Sequence, residues 1–219
     1  FRLDEKPYLL KDKWIVLTLE NIENEKLYAL KKVENYKEVL YSLAELIEKR
    51  DPYTAGHSKR VATYAKKIAS KMHLTKQNCD MIYEAGILHD IGKILIPSEI
   101  IEKPTKLTPE EFKEVKKHPF YGYKAIKDDQ QISPTTKAVV LLHHERLDGS
   151  GYPNGFTGEK IQDAVRICAI CDAFDAMTND RPYRKALSFD DAINEIIKCK
   201  GSHFDPELVD IFLEILSNK

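Results

Sequence analysis

His57, His89, His118, His143 and His144, with Asp90 and Asp172, are strung far apart along a 219-residue chain. All but Asp172 fall at or near the edge of an apolar stretch with helical spacing. A chain that uses them together must fold so that the ends of several helices meet in one place. Imidazole and carboxylate hold borderline transition metals. Seven such groups are too many for one tetrahedral ion and about right for two ions sharing a bridge.

The surrounding periodicity is helical. Val61, Tyr64, Ala65, Ile68 and Met72 recur at helical spacing, as do Ile82, Ala85 and Leu88. Thr108-Pro109-Glu110-Glu111 carries an N-cap, a first-position proline and a third-position glutamate. Ser188 and Asp205-Pro206 open two later helices, with Gly201 as a stop between them. Glycine gathers from Gly149 to Gly158, which marks one long loop with positive-φ turns. The pattern predicts an all-α bundle of about eight helices and a long Gly-rich loop.

The beginning of the chain reads differently. Lys13–Leu19 is β-branched and aromatic enough for a strand, and Tyr8-Leu9-Leu10 could pair with it as a short N-terminal hairpin. Ala29, Val33, Tyr36, Leu40, Leu43 and Ile47 then alternate by four and three. That stripe suits either a two-stranded coiled coil, hence a homodimer through residues 29–47, or an amphipathic helix on its own domain. Leu46 widens it toward the second. We expect an N-terminal segment over 1–34 and the functional domain over 35–219. A start at Phe1 rather than Met suggests a piece of a longer protein, with room upstream for a sensory domain.

Composition narrows the function. A net charge of −1 lacks the basic excess that a nucleic-acid polymer demands, whereas a small anion needs only a few local cations. No stretch approaches the ~20 apolar residues that span a bilayer, so no membrane contact by this chain is expected. Cys168 and Cys171 form a C-x-x-C, but they lie in the apolar run Ala164–Met177 and no second pair exists. Small core side chains in a reducing cytoplasm account for them better than zinc or redox chemistry.

Placed on these helices, His57 falls in the first turn after Thr54. His89-Asp90 closes the helix containing Ile82–Leu88. His118 ends the helix begun at Thr108, and His143-His144 ends the one after Pro134. Asp172 lies inside the Cys168–Met177 helix, with Asp175 one turn on. A carboxylate has two oxygens, and Asp90 is the best placed to bridge. His73 and His203 read as structural.

The order and spacing of these motifs resemble the HD-GYP family of metal-dependent phosphodiesterases. The strings that carry the resemblance begin with Arg50–His57, Leu88–Lys93 and Ile96-Pro97. They continue through Lys103-Pro104, Leu107-Thr108, His118-Pro119, His143–Arg146 and Asp148–Pro153. Asp172–Ala176, Asp180–Arg184, Gly201 and Phe204–Pro206 complete the set. The resemblance implies a helical HD-type core that hydrolyses cyclic di-GMP to pGpG or GMP. It further implies that His57, His89, Asp90 and Asp172 hold one metal, and Asp90, His118, His143 and His144 the other. Family members with a third metal carry a glutamate where this chain has Tyr53, so two ions are expected. The donor set suits iron, manganese, nickel or zinc, and the resemblance points to iron, with manganese functional.

By the same resemblance Lys93 neutralises the phosphate, and Arg181 and Arg184 contact phosphate or guanine. Tyr152 shapes the pocket or accepts a stacked base. Asp175 takes guanine N–H donors, with a salt bridge as the competing role. Cyclic GMP-AMP is an alternative substrate. An HD-type hydrolase of ppGpp or dNTPs, or a non-catalytic cyclic dinucleotide sensor, are the rival readings. The rival hydrolases leave His118, His143-His144 and the Gly-Tyr-Pro element unexplained. A sensor would be expected to lose ligands, and none is missing.

Overall fold

The computed structural model describes residues 7–50, 55–180 and 185–217; within residues 7–30, side chains are described only at 22 and 24–28. Among these residues the structure is helical, with ten α-helices. They are α1 (Pro7–Glu48), α2 (His57–Lys71), α3 (Lys76–Leu88), α4 (Ser98–Ile101) and α5 (Pro109–Val115). α6 (His118–Ile126), α7 (Pro134–Leu142), α8 (Asp163–Thr178), α9 (Phe189–Lys198) and α10 (Pro206–Ser217) follow. Short 3-10 turns occupy Ile91–Leu95 and Gly158–Lys160. The expected all-α class holds, with more and shorter helices than the period alone resolved.

Two expectations are corrected. The segment expected to form an N-terminal hairpin is helical throughout, because α1 runs from Pro7. β-branched residues cost a helix only tenths of a kcal/mol each, and an isolated two-stranded hairpin is marginal in water. Ile15, Val16 and Thr18 are too few, between Leu-, Lys- and Glu-rich flanks, to reverse that balance. The second correction concerns His118, which opens α6 instead of ending the helix begun at Thr108. Pro119 has no N–H and is tolerated only in a first turn. The chain therefore stops α5 at Val115 and restarts at His118 after two intervening residues.

The chain divides into two compact units, Phe1–Leu40 and Tyr41–Lys219. In the first, the described apolar side chains Ile22, Leu27, Tyr28, Val33 and Val39 are exposed. The second has its core on α2 and α8. Val61, Ala65 and Ile68 of α2 meet Val165, Ile167 and Phe174 of α8, and Val209 and Phe212 of α10 close over them. Phe174 makes edge-to-face contacts with Tyr64, Phe189 and Phe212. Cys168 and Cys171 are buried, free thiols in this core. Burial and nearby Asp172 push the Cys168 thiol up to about 12, so it stays protonated.

Side-chain caps start the helices where the sequence predicts. Thr108 and Glu111 form a complete capping box, and Ser133 and Ser188 accept from Thr136 and Asp191 N–H. The topology then gathers the helix ends. α2 and α3 are joined by a short turn and pack together, so the first residue of α2 and the end of α3 lie at the same edge. α6 and α7 form a second such pair, which brings His118 beside His143.

One glycine joins the two pairs. A Cβ on Gly92 would sit 1.9 Å from the carbonyl oxygen of His118 and 2.4 Å from the Gly122 nitrogen. Only a residue without a side chain lets the turn after Asp90 lie directly on α6.

Candidate metal centre

The seven predicted ligands converge. His57, His89, His118 and His143 are each 2% exposed or less, and Asp172 is 9% exposed. Three overlapping triads each have ligand atoms within 4.8 Å of one another: His57–His89–Asp90, His89–His143–Asp172 and His118–His143–His144.

Asp90 lies between two sides. Its Oδ2 faces His89 Nε2 at 3.3 Å and His57 Nε2 at 3.8 Å. Its Oδ1 faces His118 Nε2 at 3.1 Å and His143 Nε2 at 3.9 Å. Asp172 also spans the pocket, with Oδ1 3.3 Å from His57 Nε2 and Oδ2 3.9 Å from His144 Nδ1. Lys93 Nζ donates to Asp90 Oδ2 at 2.6 Å.

The donor atoms fit a metal ion. His89, His118 and His143 give their Nδ1–H to the carbonyls of Gly86, Val115 and Val139 at 2.8, 2.8 and 3.1 Å. A carbonyl only accepts, so the proton is on Nδ1 and the Nε2 lone pair points inward. His57 Nδ1 donates to Asp175 Oδ2 at 2.7 Å, and its Nε2 also points inward, 3.3 Å from Asp172 Oδ1. The Nε2 atoms of His57 and His89 then face each other at 3.3 Å, and those of His118 and His143 at 3.2 Å. The lone pairs of His118 and His143 cannot satisfy one another. A divalent cation between them can, and such second-layer hydrogen bonds are usual for ligating histidines.

The carboxylates and the His143–His144 pair agree with this donor set, and His57 departs from it. Burial would raise Asp90, but Lys93 and His89 hold it well below the usual carboxylate range. Asp172 is held low against its burial by His57 and His89. Burial, then the neighbouring His89 and His118, push His143 down to about 3, and burial with His143 also lowers His144. Burial would lower His57 too, yet its hydrogen bonds to Asp172 and Asp175 outweigh that and push it up to about 9.

The glycine-rich loop folds back on the pocket. Glu145, 2% exposed, accepts the N–H groups of Asn154 and Phe156 at 2.7 and 2.9 Å. Tyr152 N–H donates to His144 O at 3.2 Å. Gly149, Gly155 and Gly158 take positive φ, as their clustering predicts. These ties stack the Tyr152 ring on His144, with centroids 4.6 Å apart and planes 28° from parallel. Lys116 Nζ lies 5.0 Å from the centre of the Tyr152 ring.

Not every predicted site residue is placed with the ligands. Arg181 and Arg184 lie outside the described residues, as does Tyr53. Asp175, expected to take guanine donors, is a correction. It is 2% exposed, and both oxygens are engaged by His57 and Arg60. One turn beyond Asp172 on α8, it faces the start of α2.

Sequence reasoning passed over Arg60, whose signal was its place three residues after His57 on the same helix face. It quoted Arg50 without giving it a role. Arg50 donates to the carbonyls of Ile94 and Ile96 at 3.1 and 3.4 Å and to Ser98 Oγ at 2.8 Å. Glu48, two residues earlier, accepts the Ser58 N–H at 2.8 Å.

Comparison with known proteins follows the same lines. The HD domain family model matches residues 41–208. A 3'3'-cGAMP-specific phosphodiesterase 2 of Vibrio cholerae is 38% identical over 201 residues, covering 91% of this chain and 38% of that protein. The cyclic di-GMP phosphodiesterase response regulator RpfG of Xanthomonas campestris is 40% identical over 181 residues, covering 82% and 48%. A cyclic di-GMP phosphodiesterase of Thermotoga maritima is 40% identical over 179 residues, covering 81% and 49%. The chain thus spans half or less of these relatives' length. Among solved structures, a cyclic GMP-AMP specific phosphodiesterase of V. cholerae superposes with a TM-score of 0.65 at 18% identity, covering 83% of this chain and 49% of that one. That likeness concerns the fold. No described helix is long and apolar enough to cross a membrane. With the family model matched over residues 41–208, most of the chain, this chain belongs to the HD domain family.

Proposed function

We propose that this chain is a cytoplasmic phosphodiesterase that opens a cyclic dinucleotide, cyclic di-GMP first, to pGpG or GMP at a centre of two iron or manganese ions. The observation that carries the reading is the division of ligands about Asp90, with imidazoles facing each of its oxygens. Four relatives named for cyclic di-GMP or cyclic GMP-AMP, each at least 37% identical over at least 80% of this chain, support the substrate class.

Two cations held by His57, His89, Asp90 and Asp172 and by Asp90, His118, His143 and His144 would supply Lewis-acid charge and would activate a water near neutrality. The protein's part is positioning and charge. Asp90 and Asp172 would fix the spacing of the two sides, and the Nε2 atoms of His57, His89, His118 and His143 already point inward. Lys93 holds a cation beside Asp90 where phosphate charge must be offset. Tyr152 offers a ring face at the rim for a nucleobase. Arg181 and Arg184 enter through the resemblance alone, as planar forks for phosphate or guanine. No Ser or Cys nucleophile is needed, since phosphodiester hydrolysis rests on positioning and charge stabilisation.

The experiment is direct. Protein purified anaerobically and loaded with iron or manganese is counted for metal, then offered cyclic di-GMP, cyclic GMP-AMP, ppGpp and dNTPs, with products followed by chromatography. Linear dinucleotide from cyclic di-GMP is expected. Turnover of ppGpp alone would defeat the proposal, and binding without turnover would favour a sensor. The V. cholerae relative's name gives cyclic GMP-AMP specific standing as the second reading. Faster turnover of that substrate would select it.

Self-association through α1 belongs to the same reading. Of the four-and-three stripe, Val33 and Leu43 are exposed and Tyr36, Leu40 and Ile47 are half-buried. A second copy is the occupant that the four-and-three stripe suits.

A further inference from the structure

His57 is anchored differently from the other ligand histidines. His89, His118 and His143 each give Nδ1–H to a main-chain carbonyl three or four residues earlier. Such carbonyls are neutral and belong to the local helical backbone. His57 opens α2, and a helix start has no preceding turn of its own to accept that proton. His118 also opens a helix, but α5 ends just before it and supplies Val115 O. For His57 the preceding helix ends at Glu48. The acceptor comes from α8 instead, and it is a carboxylate.

That carboxylate is itself held. Arg60 Nε donates to Asp175 Oδ1 at 2.6 Å and Arg60 Nη2 to Oδ2 at 3.0 Å, a two-pronged grip. Arg60 Nη1 also donates to Ala55 O at 2.8 Å, which ties the grip to the turn before His57. Asp175 is thereby withheld from direct ligation and from substrate.

We propose that Asp175 and Arg60 are a positioning pair that fixes the tautomer and direction of His57 for the ion on its side of Asp90. The inference rests on the metal reading above. A carboxylate partner makes the imidazole a stronger donor than a carbonyl does. The ion on the His57 side therefore depends on Asp175, and the ion on the His118–His143–His144 side does not. The two sites are inequivalent by construction.

The test titrates Mn²⁺ into the metal-stripped full chain, reading stoichiometry and affinity by calorimetry and retained metal by mass spectrometry. Circular dichroism and thermal melting of each variant run alongside. Asp175→Ala should weaken one of two sites by roughly 10- to 100-fold and leave the other unchanged. Asp175→Asn and Arg60→Gln should produce smaller losses at the same site, and they serve if the alanine variant does not fold. Equal weakening of both sites would reduce Asp175 to a general structural role and overturn the proposal. Wild-type affinity at both sites in folded Asp175→Ala and Asp175→Asn would overturn it as well. Failure of the wild-type chain to take up Mn²⁺ would instead sink the metal reading, and this inference with it.

Discussion

The His57–His89 side of the pocket and the His118–His143–His144 side offer similar ligand atoms, but they are secured by different means. On the second side the Nδ1–H groups of His118 and His143 rest on main-chain carbonyls, and His144 is stacked under Tyr152. On the first side His57 hangs on an ionic chain from α8 through Asp175 to Arg60. Backbone anchoring gives rigidity, whereas charge anchoring gives basicity and can be altered by a single substitution. The difference teaches that a near-symmetric set of ligands need not bind two equal ions.

Removing the group shared by both sides should have the largest effect. Asp90→Ala is expected to abolish retention of both ions and to cut hydrolysis by at least about 10³-fold. Unaltered metal content would end its role as the divider of the pocket. Next come the paired deletions His118→Ala and His57→Ala. Each should leave about one ion per chain, retained on the opposite side, and loss of both ions from either variant would erase the distinction drawn here. Lys93→Met should separate charge from ligation. Metal content should hold while kcat falls by roughly 10²-fold, and a matching loss of metal would make Lys93 a prop for Asp90. Tyr152→Ala should act on the stacked side alone, raising KM about tenfold if a base rests on that ring. An unchanged KM would confine Tyr152 to supporting His144. The smallest effect is expected outside both sides. Leu43→Glu should shift the chain toward monomer in light scattering and leave metal content untouched.

Much of this was legible before any coordinates. Each ligand histidine adjoins an apolar helical stretch, and caps such as Thr108, Ser133 and Ser188 mark their own helices. What the sequence concealed was packing across helices. Asp175 looked like a polar group one turn past a ligand, facing the substrate. Only the proximity of α8 to the start of α2 turns it toward His57. Arg60 had no partner in view until that contact existed. The break at His118 was available from Pro119, since proline cannot continue α5. The N-terminal hairpin failed for the converse reason: local β propensity was read in a segment that is one unbroken part of α1.

One modest feature sets a practical boundary. Glu48 caps the first turn of α2, and Arg50 grips the segment from Ile94 to Ser98 just past Lys93. The end of α1 and the turn after it are thus stitched to the two strings of residues that bear His57 and Asp90. A polypeptide trimmed to begin at Tyr41 keeps both stitches, while one trimmed to Ala55 discards them with every ligand still encoded. A fragment that keeps this fastening therefore starts well ahead of its first histidine.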